Sequence, residues 1–166
     1  MTFELNIPIA GDAPFGIYLK DDKATYRTLR NAFNAAQASF RGLSETPESL
    51  MNRDLQGANA AAWSSLREGC ERTLAETSKD LEVICWWVAA MLHGDNPLEN
   101  TSKALQALAD YVGSNLDHLQ PILPEMKLKG ETSEAQGAEI AELKLVKFTF
   151  IWFVIRWWSA FAYQPF

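Results

Sequence analysis
The 166-residue chain is poor in the residues that make chemistry easy to read. It has two cysteines, Cys70 and Cys85, and two histidines, His93 and His118. A pair of thiols is too few for a disulfide scaffold, so core packing has to hold the fold, as expected of a protein in a reducing compartment. The intervals between these four residues match no zinc pattern, and Cys85 and His93 are not one helical turn apart. The expectation is that the cysteines pack as small hydrophobes. The histidines are expected near helix ends, where a cation is favoured. No metal and no cofactor are expected.

Glycine-rich phosphate loops, HExxH, CxxC and GxSxG are all missing. Asp80 with Glu82, or Glu68 with Glu71 and Arg72, supply paired carboxylates, but each pair also reads as ordinary helix-surface and dipole chemistry. The reading is therefore a non-enzyme. A small helical enzyme using Asp80, Glu82 or His93 stays open as a rival.

Positive charge is scarce as well. Fifteen Lys and Arg stand against 21 Asp and Glu, a net charge of -6, the wrong sign for a domain that must neutralise phosphates, so nucleic acid is excluded as the expected partner. All the acids lie at or before Glu142, and only Lys144, Lys147 and Arg156 carry charge after it. The N-terminus MTFELNIPIAG lacks the basic region and apolar run of a secretory signal, which points to the cytoplasm.

What the chain does have is helical periodicity. After a lead-in punctuated by Pro8, Gly11, Pro14 and Gly16, expected to be extended, Tyr26, Leu29, Phe33, Ala36, Phe40 and Leu43 recur at intervals of three and four. Gly42 to Gly57 reads as a connection with a helical turn at Glu48 to Met51. A second helix is expected after Asn59, with Trp63, Leu66, Cys70 and Leu74 on one face and Gly69 weakening it. Thr77 with Asp80 resembles a capping box opening a third helix to Leu92, apolar enough to be central or interfacial. Gly94, Asn96 and Pro97 end it. A fourth stripe runs through Leu105, Leu108, Val112, Leu116 and Leu119, stopped by Pro121 and Pro124. Ser133 with Gln136 opens a fifth through Ala138, Ala141 and Leu145. No strand pattern competes before residue 146. The fold class is all-α: a bundle of about five to seven helices with an extended N-terminal lead-in.

Adjacent residues on a helix point about 100° apart, so Trp86 and Trp87 rarely both fit one core. One is expected to face the core, and the other a second packing layer or a partner, which makes Trp87 a candidate partner contact. Residues 148–166, FTFIWFVIRWWSAFAYQPF, hold nine of the 19 aromatics and a single charge. Their length and the preceding Lys144 and Lys147 fit a membrane-associating segment, with Trp152, Arg156, Trp157 and Trp158 as candidate membrane contacts. Arg156 near the middle and tryptophans spread throughout fit it less well. A core-completing helix or strand and a non-native end stay open beside it. The expected division is a helical domain over 1–143 and an aromatic-rich segment over 144–166.

Three separated blocks carry a family resemblance. SKDLEVICWWVAAML (Ser78 to Leu92), with Trp63 and Leu74 before it and HLQPILPE after it, resembles the ImpA_N domain of TssA-like type VI secretion proteins. PFGIYLKDDKATYRTLRNAFNAAQASFRGL (Pro14 to Leu43) resembles more narrowly the VasL/TagA-type branch. The resemblance spans roughly Ile7 to Pro124, and the residues after Lys147 depart from the family's continuation. It implies a non-enzymatic helical module of an assembly protein that works in the bacterial cytoplasm with a contractile sheath, its tube and its baseplate. In that branch it implies a protein at the sheath end far from the baseplate, stopping elongation and holding that end at the membrane. TssA proper instead resembles an assembly factor that starts at the baseplate and moves with the growing end. Self-association of the full-length protein and contact with the inner membrane are also implied. The family motif falls on Trp63, Ser78, Lys79, Asp80 and Trp86, with Asn31 and Asn34 in the branch-specific block. These read as structural: Ser78 and Asp80 starting a helix, Trp86 packing, and the two Asn hydrogen-bonding between helices or to a loop.

Overall fold
Asp22 accepts a hydrogen bond from Thr25 N at 3.1 Å and so starts the first long helix. In the computed structural model, which describes residues 3–124, 128–130 and 132–145, this helix is α1 (Lys23–Leu43), preceded by a 3-10 turn at Leu19–Asp21. Its buried stripe is Leu29, Phe33 and Ala36. Ser44 closes it, its backbone N–H donating to the carbonyls of Phe40 and Arg41. Thr46 then caps α2 (Pro47–Met51) by accepting from Ser49 N, with Pro47 in the first turn, where a missing N–H costs nothing.

The connection ends sooner than the sequence suggests. Helix α3 runs Arg53–Glu76, because Asn52 accepts from the N–H groups of both Asp54 and Leu55. Gly57 lies inside it, its entropic cost outweighed by that cap. Asn59, expected as a boundary, is instead a buried cross-link: its Oδ1 accepts from Trp63 Nε1 at 3.1 Å and from Ser39 Oγ of α1 at 3.2 Å. Gly69 serves the same packing. A Cβ there would lie 3.0 Å from Leu29 Cδ2, so the missing side chain lets α3 approach α1.

Helix α4 (Leu81–Met91) is the centre of the molecule. Nine of its residues, Leu81 and Val83 to Ala90, are buried, consistent with a helix apolar around its whole circumference. It packs on α3 at one side and on α5 (Pro97–Asn115) at the other. Asn96, in the left-handed conformation at φ 47°, turns the chain into Pro97. The fourth stripe is phased differently from the expectation. Thr101, Ala104, Leu108 and Tyr111 are buried, while Leu116 is 48% exposed and Leu119, fully buried, belongs to the connection after the helix. The helix starts earlier than the apolar stripe because Pro97 can open it, and its N-terminal turns are held by Thr101 and Ala104 instead of large residues.

A further helix, α6, covers 133–145. Lys144 on it is buried, and its ammonium donates to the Leu116 carbonyl at 2.7 Å. Among the described residues there is no strand, only two isolated bridges, Gly16 with Ser78 and Asp80 with Gln120. The architecture is the expected all-α bundle with an N-terminal lead-in. No helix among the described residues is long and apolar enough to cross a membrane. Trp152, Arg156, Trp157 and Trp158 lie outside the described residues.

Candidate functional site
Ser78, Lys79 and Asp80, expected above to carry the family motif, fill the short link between α3 and α4. All are buried, at 0%, 1% and 4% exposure. Polar side chains sealed this far from water need partners, and each has one. Ser78 Oγ donates to the Ile17 carbonyl at 2.6 Å. Lys79 Nζ donates to the Leu5 carbonyl at 3.0 Å and stands 5.9 Å from the Phe3 ring centroid. Asp80 Oδ1 accepts from Glu82 N at 2.8 Å, capping α4.

The backbone of the link completes the join. Ile17 N donates to the Thr77 carbonyl at 3.1 Å, Lys79 N to Phe15 at 3.0 Å, and Leu81 N to Gln120 at 2.9 Å. Gln120 Nε2 in turn reaches the Gly16 carbonyl at 3.2 Å. Three chain segments far apart in sequence therefore meet at one knot: the lead-in, the α3–α4 link and the segment after α5. Gly16 is required there. Its φ is +75°, and a Cβ would come within 2.2 Å of the Thr77 carbonyl oxygen.

This geometry revises the expected cap. Thr77 ends α3 and does not open α4; Asp80 alone caps α4, and Ser78 ties down the lead-in. A hydroxyl two residues before an Asx cap resembles a second cap in sequence, and only the distant Ile17 carbonyl distinguishes the two roles. Asn31 and Asn34 also differ from the expectation. Both are exposed on α1, away from the helix interfaces.

The aromatic residues form a second cluster. Trp86 is 2% exposed, stacked on Phe33 of α1 at a centroid distance of 5.3 Å and 17° between planes. Trp63 meets Phe33 edge-on at 6.5 Å and stacks on His93 at 3.9 Å and 10°. Trp87, on the other side of α4, is 5% exposed; Phe3 covers it edge-on at 5.2 Å and Glu71 accepts its Nε1–H at 3.2 Å. The second layer over Trp87 thus comes from the lead-in.

The titratable groups buried in this region are shifted chiefly by burial. Burial lowers the Lys79 amine to about 8 and the His93 imidazole to about 4, and raises Tyr111 to about 12. Burial also pushes the Cys70 thiol far up, so it is an inert core residue. His93 is therefore a neutral ring stacked between aromatics, not the helix-end cation expected from its position. His118 stacks on Phe15 at 5.1 Å. Among the described residues no three His, Cys, Asp or Glu side chains group as metal ligands.

Buried partners, burial-driven shifts and a knot of hydrogen bonds tie Ser78, Lys79 and Asp80 into the fold. Neither a curated protein nor a solved structure matches this chain. The family model for the N-terminal domain of ImpA of the type VI secretion system, ImpA_N, matches residues 7–143. That span takes in most of the lead-in, helices α1 to α5, nearly all of α6 and the Ser78 to Asp80 knot, and the chain belongs to the ImpA_N family.

Proposed function
We propose that this chain is the interaction module of a TssA-like type VI secretion accessory protein that caps or anchors the contractile sheath at the end far from the baseplate. The observation that carries this reading is the family match over residues 7–143. The VasL/TagA-like block at Pro14 to Leu43 favours the distal end. The working unit is residues 1–143, with 144–166 as a separate aromatic-rich segment. Its action is surface complementarity, without cofactor or catalysis, in the bacterial cytoplasm. The partners are sheath, tube or baseplate proteins, further copies of the full-length protein, and the inner membrane. The acidic chain, of net charge -6, selects among such partners electrostatically and disfavours nucleic acid. The motif residues Trp63, Ser78, Lys79, Asp80 and Trp86 support this work by fixing the scaffold. Asn31 and Asn34, exposed on α1, are free to serve the branch-specific surface.

The test is imaging of a fluorescent fusion of the full-length protein beside a labelled sheath in living cells. Arrival at the far end when elongation halts is the expected result. A focus that forms at the baseplate and travels with the growing end would assign the protein to the assembly-factor type. Diffuse signal indifferent to the sheath would overturn the functional reading.

A further inference from the structure
The bond from Lys79 to the Leu5 carbonyl holds the first residues of the lead-in beside the C-terminal half of α3, and a groove of about 470 Å³ is formed between them. Phe3 and Ile7 of the lead-in and Ala75 of α3 give it apolar walls. Ile7 is 58% exposed and Ala75 is exposed as well. A partner therefore reaches this apolar surface without displacing Phe3 from Trp87.

The same groove carries unspent negative charge. Glu4, Glu68 and Glu76 line it, and all three are exposed. Glu68, Arg72 and Glu76 follow one another at i,i+4 spacing on α3, yet among the described residues none of them makes an ion pair, and neither does Glu4. Glu68 accepts only from Ser64 Oγ, at 3.2 Å. Of the two cations in the lining, Lys79 is sealed inside with its ammonium on the Leu5 carbonyl, which leaves Arg72 alone against the three exposed carboxylates. These carboxylates do not converge on one point, since among the described residues no three His, Cys, Asp or Glu side chains group as metal ligands. Charge spread along an apolar edge matches several positive side chains on a chain better than a single ion, and it repels phosphates of nucleic acid or lipid.

We propose that this groove between the lead-in and α3 is a docking site for a basic segment of a protein partner. An aliphatic side chain of that segment seats against Ile7 and Ala75, and flanking arginine or lysine side chains pair with Glu4, Glu68 and Glu76. Arginine suits the site best, because its planar fork contacts a carboxylate at two points. The ligand chemistry follows from the charge and the apolar walls of one groove, and it stands whether or not the sheath-end reading does.

The test follows the backbone amide resonances of Ile7, Ala75 and Glu76 in the ¹⁵N-labelled full chain during titration with three peptides: acetyl-Arg-Leu-Leu-Arg-amide, its Gln-Leu-Leu-Gln counterpart and its Arg-Ser-Ser-Arg counterpart. Saturable shifts are expected with the first, at an affinity at least about fivefold above that of either counterpart and falling as salt is raised. The double variant Glu68→Gln with Glu76→Gln should bind the first peptide no better than the parent binds the Gln peptide, while its melting curve stays that of the parent, since both side chains are exposed and unpaired among the described residues. Equal binding of the Gln peptide would reduce the groove to a non-selective apolar contact, and equal binding of the Ser peptide would reduce it to diffuse charge attraction. Calcium alone moving the same resonances to the same end point would assign the carboxylates to an ion. Movement of these resonances with protein concentration in the absence of peptide would assign the groove to a second copy of the chain. Each of these four results, or no saturation at millimolar peptide, would overturn the proposal.

Discussion
Lys79 Nζ donates to the Leu5 carbonyl at 3.0 Å, bridging 74 residues of sequence inside the protein. The bond makes a motif lysine into a clamp on the lead-in, at the cost of a buried ammonium. That cost is visible in the amine's value of about 8 against the ordinary 10.5. Below pH 8 the amine is protonated in both folded and unfolded chains, so the full cost is present. Between 8 and 10.5 the unfolded chain holds the proton more tightly, so stability rises with pH through that window. The expected gain is on the order of 1–3 kcal/mol. Urea unfolding near the two ends of the window checks it, with Lys79→Met as the reference from which this slope should be missing.

His93 gives a pH dependence of the same sign in a lower window. Its ring lies 3.9 Å from Trp63 and 4.8 Å edge-on from Phe40, and burial holds it near 4 against an ordinary 6.5. As pH falls from 6.5 towards 4 the unfolded chain takes up a proton that the folded chain refuses, so stability falls by up to about 3 kcal/mol. His93→Phe keeps an aromatic ring in the stack and cannot titrate. Its unfolding free energy should lack this acid-side loss, and an unchanged slope would show that another group is responsible.

The knot at the α3–α4 link has no slack. Gly16→Ala would need both a left-handed backbone for a residue with a Cβ and relief of a 2.2 Å contact with the Thr77 carbonyl oxygen. The expected loss is at least about 2 kcal/mol. Ser78→Ala removes the 2.6 Å bond to Ile17 and should cost about 1–2 kcal/mol. Because both changes free the same segment, their double variant should lose less than the sum of the two. Thermal melts of the three variants test this, and strict additivity would refute a shared knot.

The helices were legible where an apolar stripe and a local cap agree. The stripe through Leu29, Phe33 and Ala36 marks α1, and the apolar run to Leu92 places the end of α4 within a residue, while the Thr77 cap set its start three residues early. The start of α3 was not, because Asn52 and Asn59 are equally good caps by residue type, and only the Ser39 and Trp63 contacts of Asn59 reveal it as interior. The phase of α5 was missed for a related reason. Tyr111 and Thr101 are buried polar residues that a hydrophobic pattern passes over. The knot itself was invisible, since a Lys in a helix link has no local reason to be buried. Its partner, Leu5, lies in a segment read only as extended.

The two neighbouring tryptophans separate core from cover. Trp86 is locked between helices by its stack on Phe33, and Trp86→Ala should cost about 3–5 kcal/mol. Trp87 is shielded chiefly by Phe3, a residue of the lead-in, and by its bond to Glu71. Trp87→Phe, which keeps the ring contact and loses the N–H, should cost only about 1 kcal/mol. Any partner that uses Trp87 must first displace Phe3, so Phe3→Ala is the informative variant. It should raise acrylamide quenching of tryptophan fluorescence and lower the melting temperature modestly. If Trp87 is a partner contact, Phe3→Ala should also strengthen partner binding, because the cover has been removed in advance. Weaker binding would instead place Phe3 itself in the interface, and unchanged binding would leave Trp87 with a packing role alone.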